Sequence, residues 1–247
     1  MFSKFISIGD KIELQAVSHE YDEKPETASK VYHSVVNEIR SEDTIEIAMP
    51  MEKTKLILLP IDSEYDMIFY GSSGLFQCLG RIIDRYKSNN NYLLLVEMTS
   101  NLRKYQRREF YRLRCALEMH ARSLEENEVQ TVESRMPYSL ASDLPLKESV
   151  IVDISGGGLR FLSTHRFEQD SLLYCCYHLM NNGEHKKYEV ICKVISAMEL
   201  ENRPGTYEHR VMYYDIDPAV REEIIKYIFE EERKSRQKKR FGTESDR

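Results

Sequence analysis

No stretch of this sequence is apolar for long enough to cross a bilayer. A spanning helix needs roughly 18 consecutive apolar residues, and no run here approaches that. The opening MFSKFISIGD meets Lys4 and Asp10 before a signal-peptide core could form. The expected protein is therefore cytoplasmic, with no stable membrane insertion. Cysteine is scarce and irregularly placed: five residues, no CxxC spacing, and Cys175 adjacent to Cys176. That pattern argues against a disulfide framework or a zinc site and for reduced thiols in a core. The seven histidines show no metal spacing such as HExxH. GxxxxGK[ST] and GxSxG are missing as well. The chain is accordingly expected to be no enzyme and to use no metal or cofactor. A basic excess is lacking too, and a net charge of −6 argues against general nucleic-acid binding.

What is present is enough apolar material for real cores, with 41% hydrophobic and 31% charged residues. At 247 residues, two compact β-rich domains are favoured over one large barrel. Short runs rich in β-branched and aromatic residues stand at 12–14, 31–36, 44–48, 55–59, 65–70, 75–83 and 92–98, the signature of a small antiparallel barrel or sandwich. Asn89, Asn90 and Asn91 are expected to turn a hairpin. Strand patterning resumes at 115–121, and the polar segment 123–149 reads as a long hairpin excursion. A strand, a glycine turn and a second strand follow at 150–162, with further strands at 172–179, 188–198 and 207–214. Asp217 is a credible N-cap and Pro218 fits the first helical position. Val220, Ile224, Tyr227 and Ile228 mark one apolar face of a helix expected to end near Lys234.

The expected organisation is an N-terminal β-module over 1–100, a basic linker over 101–114, a second β-barrel with its helix over 115–235, and a basic, disordered tail over 236–247. Positive charge is concentrated in the linker, where Arg103, Lys104, Arg107, Arg108, Arg112 and Arg114 face the single acid Glu109.

Two motifs carry the chemistry. Arg108 and Arg112 are four apart and so share a side whether the segment is extended or helical. Arginine forks grip phosphate bidentately or read the O6 and N7 edge of guanine, at roughly 1–3 kcal/mol of discrimination per good pair. The second motif is Asp153-Ile154-Ser155-Gly156-Gly157-Gly158. Its carboxylate can accept from guanine N1–H and the neighbouring exocyclic amine. Its serine can cap the turn or bind, and its glycines leave room for a close ligand. Alone, the first motif reads as a solvated connector and the second as a tight β-turn with local side-chain bonds.

Together, RxxxR at Arg108 to Arg112 followed by DxSxxG at Asp153, Ser155 and Gly158 resembles the cyclic di-GMP signature of PilZ domains. The preceding β-module and the arginines between modules resemble the flagellar-brake, YcgR-like subfamily. That resemblance implies a mainly β fold of two small antiparallel barrels, a YcgR-N-like module and a C-terminal PilZ barrel, with a C-terminal α-helix. It implies a receptor that binds cyclic di-GMP through Arg107, Arg108, Arg112, Asp153, Ser155, Gly157 and Gly158. Binding would change the geometry between the domains and regulate motility through a flagellar motor protein, stator or rotor, at the basal body. A PilZ effector of exopolysaccharide synthesis or attachment and an RNA-binding β-barrel are the alternatives left open.

Overall fold

The computed structural model describes residues 2–17, 30–134, 140, 144–181 and 183–242. The chain is mainly β and divides into two compact units, Met1–Arg107 and Arg108–Arg247. Strands of the first unit are β1 (Lys11–Ala16), β2 (Val31–Ile39), β3 (Thr44–Ala48), β4 (Met51–Glu52), β5 (Lys55–Leu56), β6 (Glu64–Gly71), β7 (Gly74–Ser88), β8 (Asn91–Met98) and β9 (Arg103–Tyr105). Seven of them pair antiparallel in the order β6-β1-β2-β3-β8-β7-β9, and β6 also pairs with β7, so the sheet closes on itself, while β4 and β5 pair with each other. Period-two patterning explains which face is inside: Tyr65, Met67 and Phe69 of β6 are buried while the residues between them are only half-buried. Asn89 and Asn90, at φ +47° and +66°, make the two-residue turn joining β7 to β8. Of the apolar run at 55–59, only Lys55–Leu56 is strand; Leu59, one residue before Pro60, is instead buried as loop in the core.

The second unit contains β10 (Arg112–Ser123), β11 (Lys147–Ser155), β12 (Gly158–Ser163), β13 (Leu172–Asn181), β14 (Glu184–Leu200) and β15 (Arg203–Tyr213). These strands form a closed barrel in the order β10-β11-β12-β15-β14-β13. Its interior is filled by Ile151, Ile154, Phe161, Tyr177 and Val194, together with Cys175 and Cys192. All five cysteines are free thiols, four of them buried and Cys115 half-buried.

A long helix, designated α2 (Pro218–Gly242), follows the last strand. Asp217 Oδ1 accepts the Ala219 N–H at 2.7 Å, a side-chain cap on the helix start. Ile224, Tyr227 and Ile228 are buried in the barrel core from one face of this helix. Each such side chain contributes roughly 1.5–3 kcal/mol of burial.

Two expectations are corrected. The segment 123–149 is no simple hairpin excursion, because Glu126–Glu133 forms a helix, α1. Its capping box uses Glu125 and Glu128, and Glu128 is buried against Arg122 of β10 through bonds of 2.7 Å from both ends of the guanidinium. Residues 135–139 and 141–143 of that segment lie outside the described residues. Helix α2 also continues past Lys234 to Gly242. The extension is rich in the helix formers Lys, Arg and Gln, and Arg236 pairs with Glu232 one turn back. Residues 243–247 lie outside the described residues.

Candidate functional site

The β10–β11 register brings the two motifs together. Arg112 stands opposite Ser155 and Arg114 opposite Asp153. Leu113 between the arginines is buried, so Arg112 and Arg114 project from the outer face of the barrel, where both are exposed. On the other side of β11, Asp153 stands opposite Arg160 of β12, and Arg160 opposite Arg210 of β15. Arg210 is likewise exposed between buried His209 and Val211. Four neighbouring strands thus carry arginines and the carboxylates of Asp153 and Glu208 on a single face.

Asp153 Oδ2 accepts from Arg160 Nε at 2.6 Å, and Arg160 Nη1 donates to Glu208 Oε2 at 2.9 Å. Burial works against the charge on Arg160, but the bonds and fields of Asp153 and Glu208 outweigh it and raise its pKa. The Asp153 and Glu208 side chains are each only 14% exposed, so this ion-pair chain is largely withdrawn from solvent.

The turn between β11 and β12 is braced locally. Ser155 Oγ donates to the Gly158 carbonyl at 3.0 Å and accepts the Gly157 N–H at 3.4 Å, so its hydroxyl caps the turn. Gly158 is required by close approach: a Cβ there would stand 2.2 Å from the Val211 carbonyl oxygen. Over Gly156 and Gly157 the space is taken by the Phe110 ring, joined over Gly156 by Ile225 of α2. The Arg221 guanidinium lies 5.8 Å from the centroid of that same ring. Tyr111 stacks on Phe229 of α2 at 6.5 Å, and its hydroxyl bonds to Glu232, which raises the phenol pKa. The segment from Arg108 to Arg112 is thereby anchored to α2 by the two aromatic residues it encloses. Arg108 is exposed.

Arg107 has its own partners within the first unit. Its Nη1 donates to Glu13 Oε2 at 3.1 Å and to the Tyr70 hydroxyl at 2.8 Å, and the Glu13 charge raises its pKa.

The structure therefore unites Arg112, Asp153, Ser155 and Gly158 at one turn and adds Arg160, Glu208 and Arg210, which the motif reading misses. Arg160 was within reach of the period-two rule, since it alternates with buried Leu159 and Phe161 two residues beyond Gly158. The role of Glu208, by contrast, follows only from strand pairing. Chemically, the face offers guanidinium forks for phosphate or purine acceptors and a carboxylate for paired N–H donors. Among the described residues, no group of His, Cys, Asp and Glu could hold a metal ion. Nor is any helix among them long and apolar enough to cross a membrane.

Comparison with known proteins identifies the domains. The family model described as PilZ domain matches residues 101–230, and the model described as Flagellar protein YcgR matches residues 7–98. No curated protein matches the chain. Among solved structures, the Bacillus subtilis inhibitor of motility MotI/DgrA superposes with a TM-score of 0.69 at 16% identity, covering 94% of this chain and 100% of that one. Escherichia coli YcgR, solved in complex with c-di-GMP, gives a TM-score of 0.41 at 14% identity, over 93% of this chain and 87% of that one.

Proposed function

Because the chain belongs to the PilZ domain family, with that domain over residues 101–230, we propose that it is a cyclic di-GMP receptor that regulates motility and catalyses no reaction. The observation that carries the reading is the β10–β11 register, which sets Arg112, the last residue of the RxxxR segment, opposite Ser155 of the DxSxxG turn. Arg108 and Arg112 take phosphate and the guanine acceptor edge, and Asp153 accepts from guanine N1–H and the exocyclic amine. Gly158 lets the turn close against β15, the Phe110 ring packs over Gly157, and Ser155 holds the turn in shape. A few charge-assisted bonds of about 1.5–3 kcal/mol each suffice, after ordering costs, for the roughly −8 kcal/mol of micromolar binding.

Arg107 ends the first unit and Arg108 begins the second. A ligand that recruits both competes with Glu13 and Tyr70 for Arg107, and on this reading binding changes the geometry between the units. Superimposable small-angle scattering profiles with and without ligand would contradict this part. The match of residues 7–98 to a flagellar family model, and a motility inhibitor of the same fold, support an output at the flagellar motor. The receptor then acts from the cytoplasm on a stator or rotor protein at the basal body.

Calorimetric titration with cyclic di-GMP, with GTP and cyclic di-AMP as competitors, tests the reading. Saturable binding at micromolar or tighter Kd is expected in the wild type. Arg108→Ala and Asp153→Ala should each lower affinity at least tenfold, the loss of roughly one good contact. A folded wild type that does not bind overturns the proposal.

A further inference from the structure

Asp153 has two arginines as cross-strand neighbours, Arg114 on β10 and Arg160 on β12, yet it bonds to Arg160. A carboxylate and a guanidinium ordinarily meet through two parallel bonds. Here Arg160 reaches Asp153 through Nε on Oδ2, while its Nη1 donates to Glu208. Glu208 also accepts from Arg210 at 3.4 Å, and so sits between two arginines that would otherwise oppose each other across the β12–β15 pair. Three strands therefore brace a single carboxylate, holding Oδ2 and leaving Oδ1 without a bond from Arg160.

The consequence is orientation. Guanine presents N1–H and the exocyclic amine side by side, and a carboxylate accepts both only when its plane is turned to them. Without Arg160, Asp153 has Arg114 as the alternative cation across the sheet, and pairing there would turn the carboxylate toward β10. On the cyclic di-GMP reading above, we infer that Arg160, tethered by Glu208, is a positioning residue that holds Asp153 to read the exocyclic amine of guanine. It acts through Asp153 and leaves the phosphate contacts of Arg108 and Arg112 in place.

The probe is a ligand pair that differs only in that amine: cyclic di-GMP and its hypoxanthine counterpart, cyclic di-IMP. Titration of the full chain with both gives a preference ratio, which a general loosening of the barrel does not change. The wild type is expected to favour cyclic di-GMP by about tenfold, the lower range for a good base contact. Arg160→Met should bring the ratio to about twofold or below while both ligands still bind, at the cost of one lost contact. Arg160→Lys, which keeps a donor without the fork, should restore part of the ratio, and Glu208→Gln should lie between. If Arg160→Met failed to fold, the lysine and glutamine variants would carry the same comparison. Equal weakening of both ligands, or no change in either, overturns the positioning role and leaves the receptor reading standing. A folded wild type that binds neither ligand overturns that reading, and this inference with it.

Discussion

His209 is fully buried inside the second barrel. Its ring lies nearly parallel to Phe161 at 4.7 Å, and its Nε2 accepts the Phe167 N–H at 3.0 Å. Burial disfavours the imidazolium and lowers the pKa from 6.5 to about 4. A depressed pKa stabilises the fold only while the unfolded chain is also neutral, so the contribution is complete above pH 6.5 and disappears as pH falls from 6.5 toward 4. Its full size is about 3 kcal/mol. Urea unfolding at pH 7.5, 6 and 5 should show stability declining across this window, whereas His209→Gln, which keeps an acceptor without the titration, should decline less steeply. At this same scale the two motifs were legible, because fork, carboxylate and glycine chemistry are properties of single residues. What Arg107 bonds to was not, since Glu13 is 94 positions away.

Among the elements, helix α1 shows why polar segments mislead. Over 126–133 its apolar face is only Val129 and Val132, too short for a periodicity argument, and Val132 is its only buried apolar residue. Beside that packing it is held by Glu128, which pairs with Arg122 while also accepting the Glu125 N–H at 2.9 Å. Both side chains are nearly buried, so removing one leaves an unpaired charge in a low-dielectric site. Arg122→Met is expected to destabilise the second unit by about 3–5 kcal/mol. Adding Glu128→Leu should recover a large part of that, because the orphaned carboxylate is gone. Denaturant midpoints of the wild type and of the single and double variants check this, and a double variant no more stable than the single one would contradict the cost assigned to the orphaned carboxylate. Helix α2 is the opposite case: cap, first-position proline and apolar face were all visible, because each depends only on neighbours within a turn or two.

On the scale of the whole molecule, the two units have separate cores. The second is built from residues between Leu113 and Ile228, and the first from residues between Phe2 and Leu102. Each unit is therefore expected to fold on its own apolar content. A chain of residues 108–247 should give a cooperative melt and the far-ultraviolet signature of a β-barrel with a helix. A non-cooperative or unfolded fragment would show that the second unit depends on the first. The charge distribution belongs to this scale as well: the net charge is −6 while one barrel face concentrates arginine.

By itself the sequence determined the fold class, most strand positions, the capped helix and the chemistry of the two motifs. Period-two alternation, turn residues and side-chain functional groups are local information, readable without knowing what lies across the sheet. Tertiary structure alone decided which residues share a face. Strand pairing brings Arg160 to Glu208 across 48 positions, and Arg107 to Glu13 and Tyr70. It also makes a buried ion pair of a glutamate that looks like loop. These contacts join residues far apart in the chain, and their register comes from closing a barrel around a core, which no window along the sequence contains.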